Sequence, residues 1–402
     1  MLFSIALIVI SSLIISQIFQ LIKLPRIIGL LLTGIILGPF VLDLISPDIL
    51  NISIDLRQIA LIVILIRAGL SLDIEDLKKA GRPAILLSFV PATIEMIAIT
   101  IFAPILFHIS YLDAALMGAV VAAVSPAVVL PRMIHLLAKG HGTNKKIPQM
   151  LLAGSSVENI IMITVFTSLI QVHQGGEISF LSLLNVPVSI ILGFALGVTT
   201  GIIMVKIFIK FHIRDTVKVL VIFSIGFLFV VLEHALSGII PLSGLLAVMT
   251  LGGTILKLHG LLAKRLVSTF EKIWVIVEIM LFVLVGAAVD ISVMIYVGLV
   301  AILLIFTSMF FRMIGVAISL IKTPLNLKER IFVGFLYMPK ATVQAAISSI
   351  PLALGLSSGL LILNVAVLAI MITAPIGAIL MDTISEITQS YKYNINLRQK
   401  RV

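Results

Sequence analysis

The chain has 402 residues, 60% of them apolar and only 11% charged, with a formal net charge of +10 and no cysteine. A soluble domain carries about 25% charged residues, so there is too little polar surface here to cover a water-soluble core of this length. Cytosolic enzymes, disordered chains and nucleic-acid-binding modules are excluded. Without Cys, so are disulfide frameworks and thiol nucleophiles.

About 20 apolar residues cross a bilayer as a helix. On that rule the sequence predicts an all-α polytopic membrane protein with about thirteen spans. In chain order they are Leu2–Leu21, Ile27–Ile45, Leu56–Leu72, Pro83–Phe107, Asp113–Met133, Pro148–Val172 and Leu183–Phe208. Then follow Val217–Leu236, Ile239–Leu256, Phe270–Val289, Ile291–Ile321, Ile331–Leu354 and Gly355–Met381. The first run has no basic residue before it and no small-residue cleavage site after it, and reads as a retained helix rather than a signal peptide. Small-xxx-small spacing in Thr33–Phe40 and in LGGT at 251–254 favours close helix packing.

The Lys and Arg residues orient these spans. Loops one, three, five, seven, nine and eleven and the tail hold 24 of the 28 basic residues, whereas the even-numbered loops hold only Arg57. Basic loops stay cytoplasmic, so the N-terminus is expected outside and the C-terminal tail inside, in a multi-pass protein of the cell (plasma) membrane. Spans one and eight then cross in opposite directions, and thirteen spans divide into two inverted groups of six around one linking span. Residues 1–381 form the transmembrane domain, with a first repeat over 1–172, a linking span within 173–216, a second repeat over 217–381 and a short cytoplasmic tail at 382–402.

Inverted repeats are an arrangement of secondary transporters, whose ion sites are marked by interrupted helices in matching positions of the two halves. Spans five and twelve, each the fifth of its half, carry mid-membrane prolines (Pro126 and Pro339) and further prolines near their ends (Pro131 and Pro351). Proline removes a helix donor and clashes with the preceding turn, so both spans are expected to be broken. Four ionisable residues lie inside the bilayer, where each costs about 3 kcal/mol or more. They are Glu95 at the centre of span four, Glu158 in span six, Arg312 in span eleven and Lys340 at the break of span twelve. Arg67 can snorkel to the inner interface, and Glu233, Glu278, Asp290 and Asp113 read as headgroup-solvated. There is no HExxH, GxSxG or phosphate-cradling loop, no enzyme constellation and no cofactor site.

Several stretches resemble the monovalent cation/proton antiporter superfamily, the sodium/hydrogen exchanger family. They are LPRIIGLLLTGIILGP at 24–39, RAGLSLD at 67–73, AAVSPAVVLP at 122–131, FVLVGAAVD at 282–290 and YMPKATVQAA at 337–346, in the family's order along nearly the whole chain. The resemblance implies a six-helix core with crossed broken helices, a separate dimerisation domain, elevator-like alternating access and a homodimer. The family's acidic pair on the sixth span, Asp-Asp or Asn-Asp, is matched here by Glu158-Asn159, so the carboxylate sits one position earlier on a longer arm.

These observations predict a secondary antiporter exchanging a monovalent cation, Na⁺ or K⁺, for protons. Glu158 is the expected proton- and cation-binding group. Asn159 and the opened backbone at Ser125 and Pro126 supply neutral oxygens, the donors hard cations prefer. Lys340 offsets helix-end charge, and Arg312 pairs with Glu95 or Glu158. The expected partners are cations, protons and membrane lipid, with no nucleic acid. A non-transporting scaffold or sensor with a degenerate site, and a passive cation channel, are the alternatives.

Overall fold

The computed structural model describes residues 1–71, 81–125, 128, 129, 133, 145, 147–174, 180–211, 213–236 and 239–399. Seventeen helices make up the described part, and it contains no strand. The first half contains α1 (Leu2–Leu21), α2 (Arg26–Leu37), α3 (Pro47–Asn51), α4 (Ser53–Ser71), α5 (Arg82–Leu87), α6 (Val90–Phe107), α7 (Tyr111–Ala122) and α8 (Ile147–Gln174). After α9 (Phe180–Lys210) come α10 (Asp215–Ala235), α11 (Gly244–Leu258), α12 (Gly260–Ala287) and α13 (Ile291–Ser319). The chain closes with α14 (Leu327–Leu336), α15 (Thr342–Ile347), α16 (Ile350–Ala353) and α17 (Gly359–Gln399).

Among the described residues, six stretches are helical, long and apolar enough to cross a membrane unaided: Leu2–Leu21, Arg82–Phe107, Val188–Lys210, Asp215–Ala235, Ile291–Ser319 and Gly359–Leu380. Several other expected spans are shorter, and the causes are local. Span two stops at Leu37 rather than Ile45, because Gly38 precedes a proline and is driven into an extended conformation (φ −70°, ψ 173°). Span nine begins at Gly244 rather than Ile239, where the Ser243 hydroxyl accepts the Leu246 N–H and caps α11. The tight junction at 290 is real: Asp290 caps α13 by accepting the N–H groups of Ser292 and Val293. The Ser292 hydroxyl also donates to Asp290 and holds its carboxyl below the usual carboxylate range.

Packing divides the helices into two groups. Helices α1, α2, α4 and α9 to α12 lie mainly against one another, and α5 to α8 with α13 to α17 form the second group. Each group therefore draws on both halves of the chain. The first group is closed by glycine. A methyl group on Gly34 would strike the Val283 carbonyl, one on Gly286 the Leu31 carbonyl and one on Gly69 the Met249 carbonyl, so α2 meets α12 and α4 meets α11 at backbone distance. The small-residue stretches at 33–40 and 251–254 thus act as packing seams.

One element of the charge count changes. Arg57 is not an outer-loop residue: it lies on α4, is 5% exposed, and donates to the carbonyl and hydroxyl of Ser53. The even-numbered loops consequently lose their one basic residue. Lys218, counted with loop seven, is likewise buried on the first turn of α10.

Candidate functional site

Helix α7 stops at Ala122, and Ala123 leaves it with extended backbone (φ −64°, ψ 137°). Helix α14 stops at Leu336 and α15 restarts at Thr342, so Met338 to Ala341 form an unwound segment around Pro339. The two breaks meet: the Ser125 N–H donates to the Pro339 carbonyl at 2.8 Å. The hydroxyls of Ser125 and Thr342 stand 3.5 Å apart across the same crossing. Pro126 itself lies outside the described residues.

A helix end inside a bilayer leaves carbonyls that water cannot satisfy. Here side chains from the opposite break satisfy them. The Gln344 amide donates to Val120 O at 3.1 Å, Val121 O at 3.2 Å and Ala123 O at 2.6 Å. Its Oε1 accepts the Ala341 N–H at 2.8 Å. The Ala122 carbonyl receives Arg312 Nη1 at 2.5 Å and Lys340 Nζ at 3.1 Å. Two cations therefore face the negative end of α7, where the helix dipole favours them. The Lys340 N–H is anchored on Thr373 Oγ1 at 2.9 Å, tying the second break to α17.

The four intramembrane charges converge on this crossing, each at most 1% exposed. Arg312 is the hub. Its Nη1 reaches Glu95 Oε2 at 2.6 Å and its Nη2 reaches Glu158 Oε1 at 2.6 Å, while Nε donates to the Tyr337 carbonyl. Lys340 Nζ makes a second ion pair to Glu95 Oε2 at 2.7 Å. Two carboxylates and two cations sum to zero. Charges buried this way are tolerated because each is paired and hydrogen-bonded.

Glu158 differs from Glu95 in one respect. Its Oε1 is held by Arg312 and by the Val124 N–H at 3.0 Å, but its Oε2 has no partner among the described residues. On the next residue, Asn159 Oδ1 is also buried and unpartnered. The Tyr337 hydroxyl, a third such oxygen, lies against Gly154, one turn before Glu158 on α8, where any side chain would collide with it. These are three of several buried side-chain atoms without a partner among the described residues, and they stand on or beside one helix; oxygens of this kind are donors that suit a proton or a hard cation.

The structure thus brings Glu95, Glu158, Arg312, Lys340 and Ser125 together, and places Asn159 beside them with its carbonyl free. Sequence reading missed Gln344, Tyr337 and Thr373. An uncharged Gln within the apolar run of the second half-helix was the available signal, because an amide needs several partners in hydrocarbon. Two headgroup-solvated assignments are corrected. Glu278 is 6% exposed and pairs with Arg26 at 2.8 Å. Asp113 is buried, bonding His173 at 3.1 Å and Ser110 at 2.9 Å. Glu233 accepts the Gly244 N–H at 3.0 Å. Arg67 stacks its guanidinium 5.3 Å from the Trp274 ring centre.

Comparisons with known proteins agree with this architecture. Residues 5–384 match the family model described as sodium/hydrogen exchanger, transmembrane. Sodium/hydrogen exchanger 9B2 of Mus musculus is 33% identical over 375 residues, covering 89% of this chain and 67% of the relative. Sodium/hydrogen exchanger 9B1 of Homo sapiens is 32% identical over 411 residues, covering 94% and 76%. The sodium proton antiporter MjNhaP1 from Methanocaldococcus jannaschii, solved at pH 8, superposes with a TM-score of 0.78 over 94% of both chains at 21% identity, and so shares the fold. The expected fold, an all-α bundle with two crossed broken helices, is the observed one, and this chain belongs to the transmembrane sodium/hydrogen exchanger family.

Proposed function

We propose that this protein is a secondary antiporter exchanging a monovalent cation for protons by alternating access, with Glu158 as the group for which the two compete. The observation that carries the reading is the unpartnered Oε2 of a fully buried carboxylate at the crossing of two broken helices. Asn159 Oδ1 lies on the adjacent residue as a neutral oxygen ligand. Arg312 is shared equally between Glu158 and Glu95, at 2.6 Å each. It therefore keeps an ionised partner when Glu158 takes up a proton or a cation.

Charge arithmetic sets the stoichiometry. The empty cluster of Glu95, Glu158, Arg312 and Lys340 is neutral, and either one proton or one monovalent cation brings it to +1. Both loaded forms carry the same charge across the membrane, so one-for-one exchange is electroneutral. Exchange is obligatory when only loaded forms cross.

The inverted halves, 1–172 and 217–381 around a linking span at 173–216, are the units of this reading, with 382–402 as the tail. The charge asymmetry of the loops supports an N-terminus outside and a tail inside, and the reading takes the cell membrane as the site of exchange. A homodimer joined through the α1–α4 and α10–α12 group leaves the site-bearing group free to move.

The test is a proteoliposome carrying a trapped pH dye, challenged in turn with Na⁺, K⁺ and Li⁺ gradients. An antiporter moves protons against each cation it accepts and concentrates cation at the expense of a proton gradient. A passive channel does not concentrate cation, and a scaffold moves nothing.

A further inference from the structure

The same ends of α9, α10 and α12 that carry the basic loops line an open cavity of about 510 Å³, which shares no residue with the charged crossing. It is lined by Phe208, Ile213, Arg214, Asp215, Lys218 and Arg265, among others. We propose that this cavity binds the headgroup of an acidic phospholipid carrying two negative charges.

The charge balance is the first argument. Asp215 is the one acid in the lining, facing Arg214, Lys218 and Arg265. It bonds Lys218 Nζ at 3.0 Å through Oδ1 and Arg265 Nε at 3.0 Å through Oδ2. One carboxylate thus fixes two cations in place, and with Arg214 the lining retains a charge of +2. Lys218 is built in rather than splayed on the surface: it is 6% exposed, with its ammonium 5.7 Å from the Phe208 ring centre. His259 Nδ1 accepts the Leu262 N–H and caps α12. The surrounding segments, 206–218 and 257–272, contain eight Lys and Arg residues and only Asp215 and Glu271 as acids.

The rim is the second argument, and it favours a lipid over a soluble anion. Ile209, Phe211, Leu258 and Leu261 are all more than half exposed around the cavity, with Leu261 at 73%. Apolar side chains at that density face acyl chains in a bilayer, and basic residues above them meet the headgroup layer. A phosphate that enters from the leaflet satisfies both. A cavity of this volume also falls within the usual range for small-ligand sites, about 300–1,000 Å³.

The test uses the full-length, delipidated protein in detergent, titrated with cardiolipin (two phosphodiesters), phosphatidylcholine and inorganic phosphate. Melting temperature reports binding to the folded form, and native mass spectrometry counts bound lipid independently of unfolding. Cardiolipin is expected to raise the melting temperature and to leave one retained adduct, whereas phosphatidylcholine and inorganic phosphate leave both readouts unchanged. In the double variant Arg214→Gln with Arg265→Gln, half-saturation is expected to need about thirty-fold more cardiolipin, the effect of removing two cations that each hold an anionic headgroup. The matched control Lys206→Gln with Lys257→Gln removes the same charge outside the cavity and is expected to bind within about twofold of the parent. Equal losses in both double variants would overturn the proposal by making the effect a general surface attraction. An equal response to phosphatidylcholine or to inorganic phosphate would overturn it as well.

Discussion

Replacing Arg312 with Gln removes the one group that touches both buried carboxylates. The wild-type cluster is neutral, with Glu95 and Glu158 against Arg312 and Lys340. The variant carries a net charge of −1, and Glu158 loses its 2.6 Å ion pair. The lost contacts are the 2.6 Å pairs to Glu95 and Glu158, the 2.5 Å bond to Ala122 O and the bond to Tyr337 O. Breaking a buried ion pair by removing one partner costs about 3–5 kcal/mol, most of it from the charge left unpaired. That origin of the cost makes a sharper prediction than the loss itself. Adding Glu95→Gln to Arg312→Gln restores neutrality, with Glu158 and Lys340 as the remaining charges. The double variant should therefore be more stable than Arg312→Gln alone, with a coupling of about 1–3 kcal/mol, as expected for residues in direct contact. Unfolding of the purified variants in detergent measures this. If the two substitutions destabilise additively, or the double variant is the less stable, the four charges do not act as one balanced unit.

Three further outcomes follow from the crossing. Lys340→Ala leaves Glu95 with one cation and Ala122 O with one donor, and should both lower the melting temperature and slow exchange; unchanged values for both would remove its role at the helix end. Gln344→Leu strips three half-helix carbonyls and the Ala341 N–H of their partner. At about 1–3 kcal/mol for each buried group left unsatisfied, it should destabilise by at least about 3 kcal/mol, and a melting temperature equal to the parent's would refute the assignment. Gly34→Val drives a side chain into the Val283 carbonyl and should cost about 1–3 kcal/mol by overpacking, read as lowered stability of the purified protein with the exchange chemistry of any folded fraction intact.

The parts of this molecule that were legible from sequence are those written in strong local signals. Charge alternation along the loops and the paired prolines of spans five and twelve located the bundle and its two breaks. The cost of an ionisable group in hydrocarbon located Glu95, Glu158, Arg312 and Lys340. What escaped is set by geometry rather than composition. The pairing of Lys340 with Glu95 rather than Glu158 depends on which lobe of each carboxylate faces the crossing. Gln344 and Thr373 carry no charge; the amide of Gln344 in an apolar run was a weak signal, and the hydroxyl of Thr373, which can bond its own helix at Ala369 O, gave none. Arg57 is the second residue of the expected span Leu56–Leu72 and was counted with the outer loop, yet α4 starts a turn earlier, at Ser53, and folds the guanidinium back onto its own first turn. Glu278 and Asp113 were read as solvated because their partners, Arg26 and His173, are remote in sequence.

The most direct test of the central claim is dye-reported cation/proton exchange in proteoliposomes held at clamped potentials of both signs, comparing the wild type with Glu158→Gln. A single competing carboxylate in an otherwise neutral cluster predicts wild-type exchange that is indifferent to potential, and no exchange in a folded Glu158→Gln, in which the amide keeps the size and loses the charge. Exchange driven by potential in the wild type, or full activity in Glu158→Gln, would contradict it and place the working carboxylate elsewhere, at Glu95.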